Sequence, residues 1–228
     1  MPDGPQIYTS QRLKTPRAAA LAGILFAMLF SGSIVLIRLS IPANPEDSGV
    51  WLKQRAGMVR LALGLLPFAG IAFLWFMGVV RDCLGQLEDQ FFSTVFFGSG
   101  LLFLAMMFAS AAIVGATLAT YAVEPRRLID SGVYTFARTV TYGITNVDAI
   151  KMAGVFMISL GTIWVRTRIM PHWLAFLTYA LALGLLLSIS SNLWVTLIFP
   201  GWVCMVSLYI LIGNLHNPST SLQGREDS

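Results

Sequence analysis

The chain has 228 residues, 56% of them hydrophobic and 11% charged, with a mean hydropathy of +0.73. Soluble domains carry about 25% charged residues, so the composition excludes that class and fits a multi-pass membrane protein. The net charge of +4 does not point to nucleic acid, because the Lys and Arg stand in ones, twos and threes between apolar runs, as residues framing membrane spans do.

Residues 1–17 form a polar tail with Arg12, Lys14 and Arg17, and Thr15-Pro16 suits an N-cap and a first helical position. Ala18 to Ile37 is a continuous apolar run, longer than the ~7–15-residue core of a signal peptide and without a small-x-small cleavage site; it reads as an uncleaved first span. Arg38 to Arg55 reads as a connecting loop, where Pro42 and Pro45 break one helix and Glu46-Asp47-Ser48 offers caps for the next. Ala56 to Val80 is the second span, with Arg60 one turn inside its start and Pro67 as a kink. Arg81 to Gln90 is short enough to be a turn, so the second and third spans are expected as an antiparallel pair.

The third span, Phe91 to Val123, has no charged side chain, and at ~1.5 Å rise per residue it makes a helix of roughly 50 Å, well beyond the ~30 Å hydrocarbon core. Nine of the twelve residues from Ala109 to Thr120 are Ala, Ser, Gly or Thr. Gly98, Ala105, Ala109, Ala112, Ala116 and Ala119 recur at heptad-compatible spacing and predict a seam facing another helix.

Glu124 to Val147 is the longest polar interval, mixing Arg126, Arg127, Asp130 and Arg138 with Tyr134, Phe136 and Tyr142. An interfacial segment and a plain loop both fit it. Thr145-Asn146-Val147-Asp148 reads as the cap of the fourth span, Ala149 to Val165, whose Lys151 must snorkel outward. A basic turn, Arg166 to His172, precedes the fifth span, Trp173 to Ile189; Ser190-Ser191-Asn192 separates it from the sixth, Leu193 to Ile212. These last three spans are expected as a meander. Residues 214–228 read as a disordered polar tail. The predicted fold is therefore an all-α, polytopic transmembrane helical bundle of six spans within residues 18–213.

An even number of spans puts both termini on one side. The short-loop form of the positive-inside rule places that side in the cytoplasm, because the N-terminal tail and the Arg166 turn are basic and the Ser190 turn carries no charge. Trp75, Trp164, Trp173 and Tyr209 are expected as one aromatic belt, and Trp51, Tyr121 and Trp194 as the other.

The stretch from Ala149 to Gly213 ends one helix with Gly161-Thr162-Ile163-Trp164. The basic turn Arg166-Thr167-Arg168-Ile169-Met170 follows, and Pro171-His172-Trp173-Leu174 opens the next helix. In these residues it resembles the C-terminal three helices of a family of uncharacterised six-helix bacterial integral membrane proteins, a domain of unknown function. The resemblance implies a six-helix fold in the bacterial plasma (inner) membrane, and no chemistry.

Motifs that carry chemistry are scarce. His172 and His216 are the two histidines, forty-four residues apart, which excludes an H-E-x-x-H zinc site. Cys83 and Cys204 supply neither a disulfide framework nor a Cys-rich metal centre. Gly98-Ser99-Gly100 lacks a base for a serine nucleophile and the third glycine of a dinucleotide fingerprint, so no catalytic residue and no cofactor is assigned. Two polar clusters remain. The outer one comprises Arg60, Glu124, Asp148 and Lys151, with Arg60 expected to pair with Glu124 or Asp148. The inner one comprises Arg81, Asp82, Glu88, Asp89, Arg166, Arg168 and His172.

The expected role is that of a non-enzymatic accessory, sensory or interaction component of the membrane. A small-solute or ion transporter is the alternative, weakened by the near absence of polar groups at mid-span. An interfacial lipid-modifying enzyme, drawing on the inner cluster, is a third. The expected partners are the lipid bilayer, a lipid or apolar ligand between helices, and a membrane-protein partner or second copy of the chain; nucleic acid is not expected.

Overall fold

A computed structural model of the protein describes residues 15–42, 49, 51–84, 90–167, 170–188 and 193–216. Its helices are α1 (Thr15–Ser40), α2 (Trp51–Gln54), α3 (Ala56–Leu84), α4 (Gln90–Val123), α5 (Pro125–Asp130), α6 (Val133–Gly143), α7 (Ile150–Thr167), α8 (His172–Leu187) and α9 (Ile198–His216). A π-helical turn, Ile144–Ala149, joins α6 to α7, and a 3-10 turn, Leu193–Leu197, leads into α9. Among the described residues five stretches are long and apolar enough to cross a membrane: Ala18–Ser40, Ala56–Asp82, Phe91–Val123, Val133–Thr167 and Trp194–Ile212. The expected fifth span, α8, has 16 residues, or about 24 Å of helix, and falls short of the ~30 Å core by itself.

Glycines set the register of the long helices. A Cβ at Gly70 of α3 would collide with Phe108 of α4, and one at Gly100 of α4 with Met77 of α3, while Arg81 lies 5.6 Å over the Phe97 ring. As the α3 number rises its α4 partner's number falls, which is the expected antiparallel pair. α1 packs along α3 and α9, and α4 lies between α3 and α7. In the middle of the bundle Phe26, Phe73, Phe103, Phe156 and Phe199, one from each of α1, α3, α4, α7 and α9, are all buried. Their rings meet at centroid distances of 4.7 Å for Phe26 with Phe73 and 4.8 Å for Phe103 with Phe199. Contacts of this kind add ~0.5–1.5 kcal/mol per pair beyond area burial, and here they form a solid plug across the bundle.

The bundle has two tiers. Gly161 of α7 faces Thr178 and Tyr179 of α8, and Gly154 faces Ala182 and Leu186, so α8 runs antiparallel to α7 and ends beside Gly154. α9 packs chiefly on α1 and also runs antiparallel to α8, as the expected meander requires: the Trp202 indole donates a 2.9 Å hydrogen bond to Thr178 Oγ1, and the Tyr209 ring meets that of Trp173 at 6.4 Å. The helix running on from α7 through the π turn into α6 extends beyond both. In that upper tier α1, α3, α4 and α6 continue, topped by α2 and α5.

Several expectations are corrected. The fourth span does not start at Ala149: Val133–Thr167 is one continuous helix, and Thr145 and Asn146 lie within it as buried residues of the π turn rather than at a cap. The interval after Glu124, left open between an interfacial segment and a loop, is helical, with Gly132 at φ 75° supplying the left-handed residue that turns α5 into α6. The seam on α4 is reversed: Ala105, Ala109, Ala112, Ala116 and Ala119 are exposed, whereas Phe96, Phe103, Met107 and Leu118 face the core. α4 is apolar all round, so its periodicity could not choose a face, and the larger side chains fill the space between helices. Trp164 is buried against Trp202 instead of joining a belt, and Trp51 is buried at the bundle's end. α9 continues to His216, into the expected tail, and the remainder of both tails lies outside the described residues.

Candidate functional site

A cavity of about 130 Å³ opens in the upper tier between α1 and α6, walled also by α3 and α4. Its origin is the end of α9. In the lower tier α9 fills the space beside α1, and its entry turn stops at a narrow void where Thr196 and Phe199 meet Phe30, Met107 and Thr145. Above Met107 and Thr145 no described helix takes α9's place, so α1 and α6 are left facing each other across the cavity.

The wall is apolar where Ile34, Leu63, Leu66, Met107 and Val114 of α1, α3 and α4 face it, and polar at Arg38 of α1, at Ser110 and Thr117 of α4, and toward α6. Ser110 of α4 and Thr145 of the π turn share a 2.7 Å buried hydrogen bond at its floor. The Asn146 amide donates 3.1 Å to the carbonyl of Tyr142, and its Oδ1 accepts a 2.6 Å hydrogen bond from Arg38 Nη2. Arg138 returns the connection, donating to the carbonyl of Pro42 just past the end of α1 and, at 3.4 Å, to the Tyr134 hydroxyl. Two arginines thus clasp α1 to α6 in opposite directions.

The π turn makes this geometry possible. One extra residue per turn rotates Thr145 and Asn146 inward together, and such turns within α-helices are often found at functional sites. A guanidinium costs ~2.5–3.5 kcal/mol at the centre of a span and less near its end, and a charged hydrogen bond returns ~1.5–3 kcal/mol. The bond to Asn146 therefore offsets much of the cost of Arg38 in α1. It leaves Arg38 Nε buried without a partner.

A small second core roofs the mouth. Trp51 and Leu52 of α2 pack with Val59, Leu118, Leu128 and Tyr134, and the Trp51 indole donates 2.8 Å to the Tyr134 hydroxyl. Gly49, at φ 75°, lets the chain turn into α2, and a Cβ there would press on Leu52 at 3.3 Å. Arg55 ties the same corner to α1 by donating to the carbonyl of Leu39.

The expected outer cluster is not brought together. Arg60 is exposed and forms no ion pair with Glu124 or Asp148; Glu124 is bound instead by Arg127, one turn along α5, at 3.0 Å. Asp148 and Lys151 are exposed at the π turn and the start of α7. Of the inner cluster, Glu88, Asp89 and Arg168 lie outside the described residues. Arg81 and Arg166 flank the start of α4, over the rings of Phe97 and Phe92 at 5.6 and 4.6 Å, while Asp82 and His172 are exposed. Among the described residues no group of three His, Cys, Asp or Glu could hold a metal.

Sequence reasoning missed Arg38, Asn146 and Arg138 as site residues. Arg38 had a signal: Leu39 and Ile41 beyond it continue the apolar pattern, placing it on the first helix rather than after it. Asn146 had none, because a helix-capping motif and an inward π turn use the same residue types. No family model matches the chain, and no curated protein or solved structure matches it either.

Proposed function

We propose that this chain is a six-span protein of the bacterial plasma membrane with both termini in the cytoplasm. Its role is non-enzymatic: it holds part of an amphiphile in the cavity between α1 and α6. The five long apolar helices together with α8 support the span count, and the basic tail and Arg166 turn support the orientation. The C-terminal resemblance supports the bacterial membrane.

The observation that carries the ligand reading is the cavity itself, apolar over most of α1, α3 and α4, and polar at Arg38, at Ser110 and along α6 and the π turn. Its size decides how much of a ligand enters. A dry cavity of ~150 Å³ holds one benzene, while pockets enclosing a drug-sized molecule run to ~300–1,000 Å³. About 130 Å³ therefore suits a head group or a few methylenes, with the rest of the molecule lying outside. Transport is less well supported, since a solute leaving the floor meets the packed rings of Phe30, Phe73, Phe103 and Phe199.

Native mass spectrometry of the protein released from neutral micelles tests this reading. The wild type retains an amphiphile that Ala111→Phe, which fills the cavity, loses while keeping its helical content. Equal retention by both proteins contradicts it.

A further inference from the structure

We propose that the head group taken by this cavity is an anion, a phosphate or a carboxylate, held by Arg38 and Arg138; this rests on the reading that the cavity binds an amphiphile.

Three observations lead there. First, the lining contains two guanidinium groups and, among the described residues, no carboxylate. Second, among the described residues the acceptors these arginines use are neutral: the Asn146 amide oxygen for Arg38, and the Pro42 carbonyl and Tyr134 hydroxyl for Arg138. Among the described residues the ion pair of the structure is Arg127 with Glu124, out on α5 and exposed. Third, among the described residues Arg38 Nε has no hydrogen-bond partner, so the protein's own acceptors leave this guanidinium incompletely satisfied.

Positive charge held in an apolar wall interacts with an anion far more strongly than it does in water. The planar fork of a guanidinium matches the paired oxygens of phosphate and carboxylate, which an uncharged head group cannot supply. Asn146 and Tyr134, which line the same cavity, each hold one fork by a hydrogen bond, so the orientation of the forks is set before a ligand arrives. The apolar wall of Ile34, Leu63, Leu66, Met107 and Val114 then accepts the first methylenes, which distinguishes an amphiphile from a free anion.

The full-length protein in maltoside micelles is titrated with dodecyl phosphate, dodecanoate, uncharged monododecanoylglycerol and inorganic phosphate, and retention is read by native mass spectrometry. The two anionic amphiphiles should bind one per protein, about tenfold or more tighter than the uncharged one. Arg38→Gln and Arg138→Gln should each weaken the anions about tenfold and leave the uncharged amphiphile unchanged. Arg138 is half-exposed, so its variant carries the test if Arg38→Gln does not fold. Equal binding of charged and uncharged amphiphiles, lost in Ala111→Phe but unmoved by either arginine variant, overturns the head-group inference and leaves the cavity reading standing. Inorganic phosphate binding as tightly as dodecyl phosphate overturns the amphiphile as the source of the anion. Binding of every amphiphile unaffected by Ala111→Phe overturns both.

Discussion

Arg38 of α1 donates a 2.6 Å hydrogen bond to Oδ1 of Asn146 in the π turn, joining two helices that otherwise face each other across a cavity. The bond couples a half-buried charge to an irregularity in the opposing helix, and each depends on the other. Asn146→Ala removes the acceptor and leaves the guanidinium with no partner at Nη2 or Nε, so it should destabilise the protein by about 1.5–3 kcal/mol. Arg38→Met removes the charge as well as the bond and should cost less. A double-mutant cycle followed by thermal unfolding in micelles should give a coupling of about 0.5–3 kcal/mol; additive losses would show that the bond does not link the two sites.

The reversed faces of α4 make a sharper prediction about packing. A Cβ at Gly100 meets the Met77 sulfur and the Phe156 ring, so Gly100→Leu should cost about 1–3 kcal/mol through overpacking. Ala112 is exposed, and Ala112→Trp should change the stability of the isolated chain by less than about 0.5 kcal/mol. Thermal unfolding of both variants in the same detergent checks the contrast, and a large loss in Ala112→Trp alone would restore the alanine seam.

Tyr134 accepts from both Trp51 and Arg138, and so ties the α2 roof to the clasp. Tyr134→Phe strands the buried Trp51 indole N–H, for an expected loss of about 1–3 kcal/mol. The Trp51 emission should move to longer wavelength as the roof loosens, measured in a chain whose exposed tryptophans, Trp75, Trp173 and Trp194, have been replaced by Phe. Unchanged emission and stability would mean the roof is held by its apolar contacts alone.

The orientation requires that α8 and α9 each cross the membrane. A periplasm-active reporter fused at Ser219 should then be silent, and one fused in the segment between α1 and α3 should be active. Strong activity at Ser219 would mean that α8 and α9 do not both cross.

Most of the bundle was legible in the chain because apolar runs of span length have few alternatives. Ala18–Ser40, Ala56–Asp82 and Phe91–Val123 are close to their sequence-derived limits. What failed did so for separate physical reasons. Where hydrophobicity is uniform, as on α4, nothing in the pattern says which face meets protein, and small residues are as compatible with lipid as with a helix. Where polar residues enter a helix, as at Thr145 and Asn146, their bonding partners decide between a cap and an inward turn, and those partners are Ser110 and Arg38, distant in sequence. The Arg60 pairing failed differently: Arg127 is one turn from Glu124 on α5, and a local partner needs no tertiary alignment.

An anionic head group in the α1–α6 cavity should be visible in crystals of the protein grown from a lipid mesophase containing phosphatidylglycerol. Density for a phosphate within ~3 Å of the Arg38 and Arg138 guanidiniums, continuous with a chain leaving along Ile34 and Leu63, is the predicted result. A cavity holding water alone, with both arginines still bonded to Asn146 and Pro42 and the lipid confined to the outer surface, would contradict it.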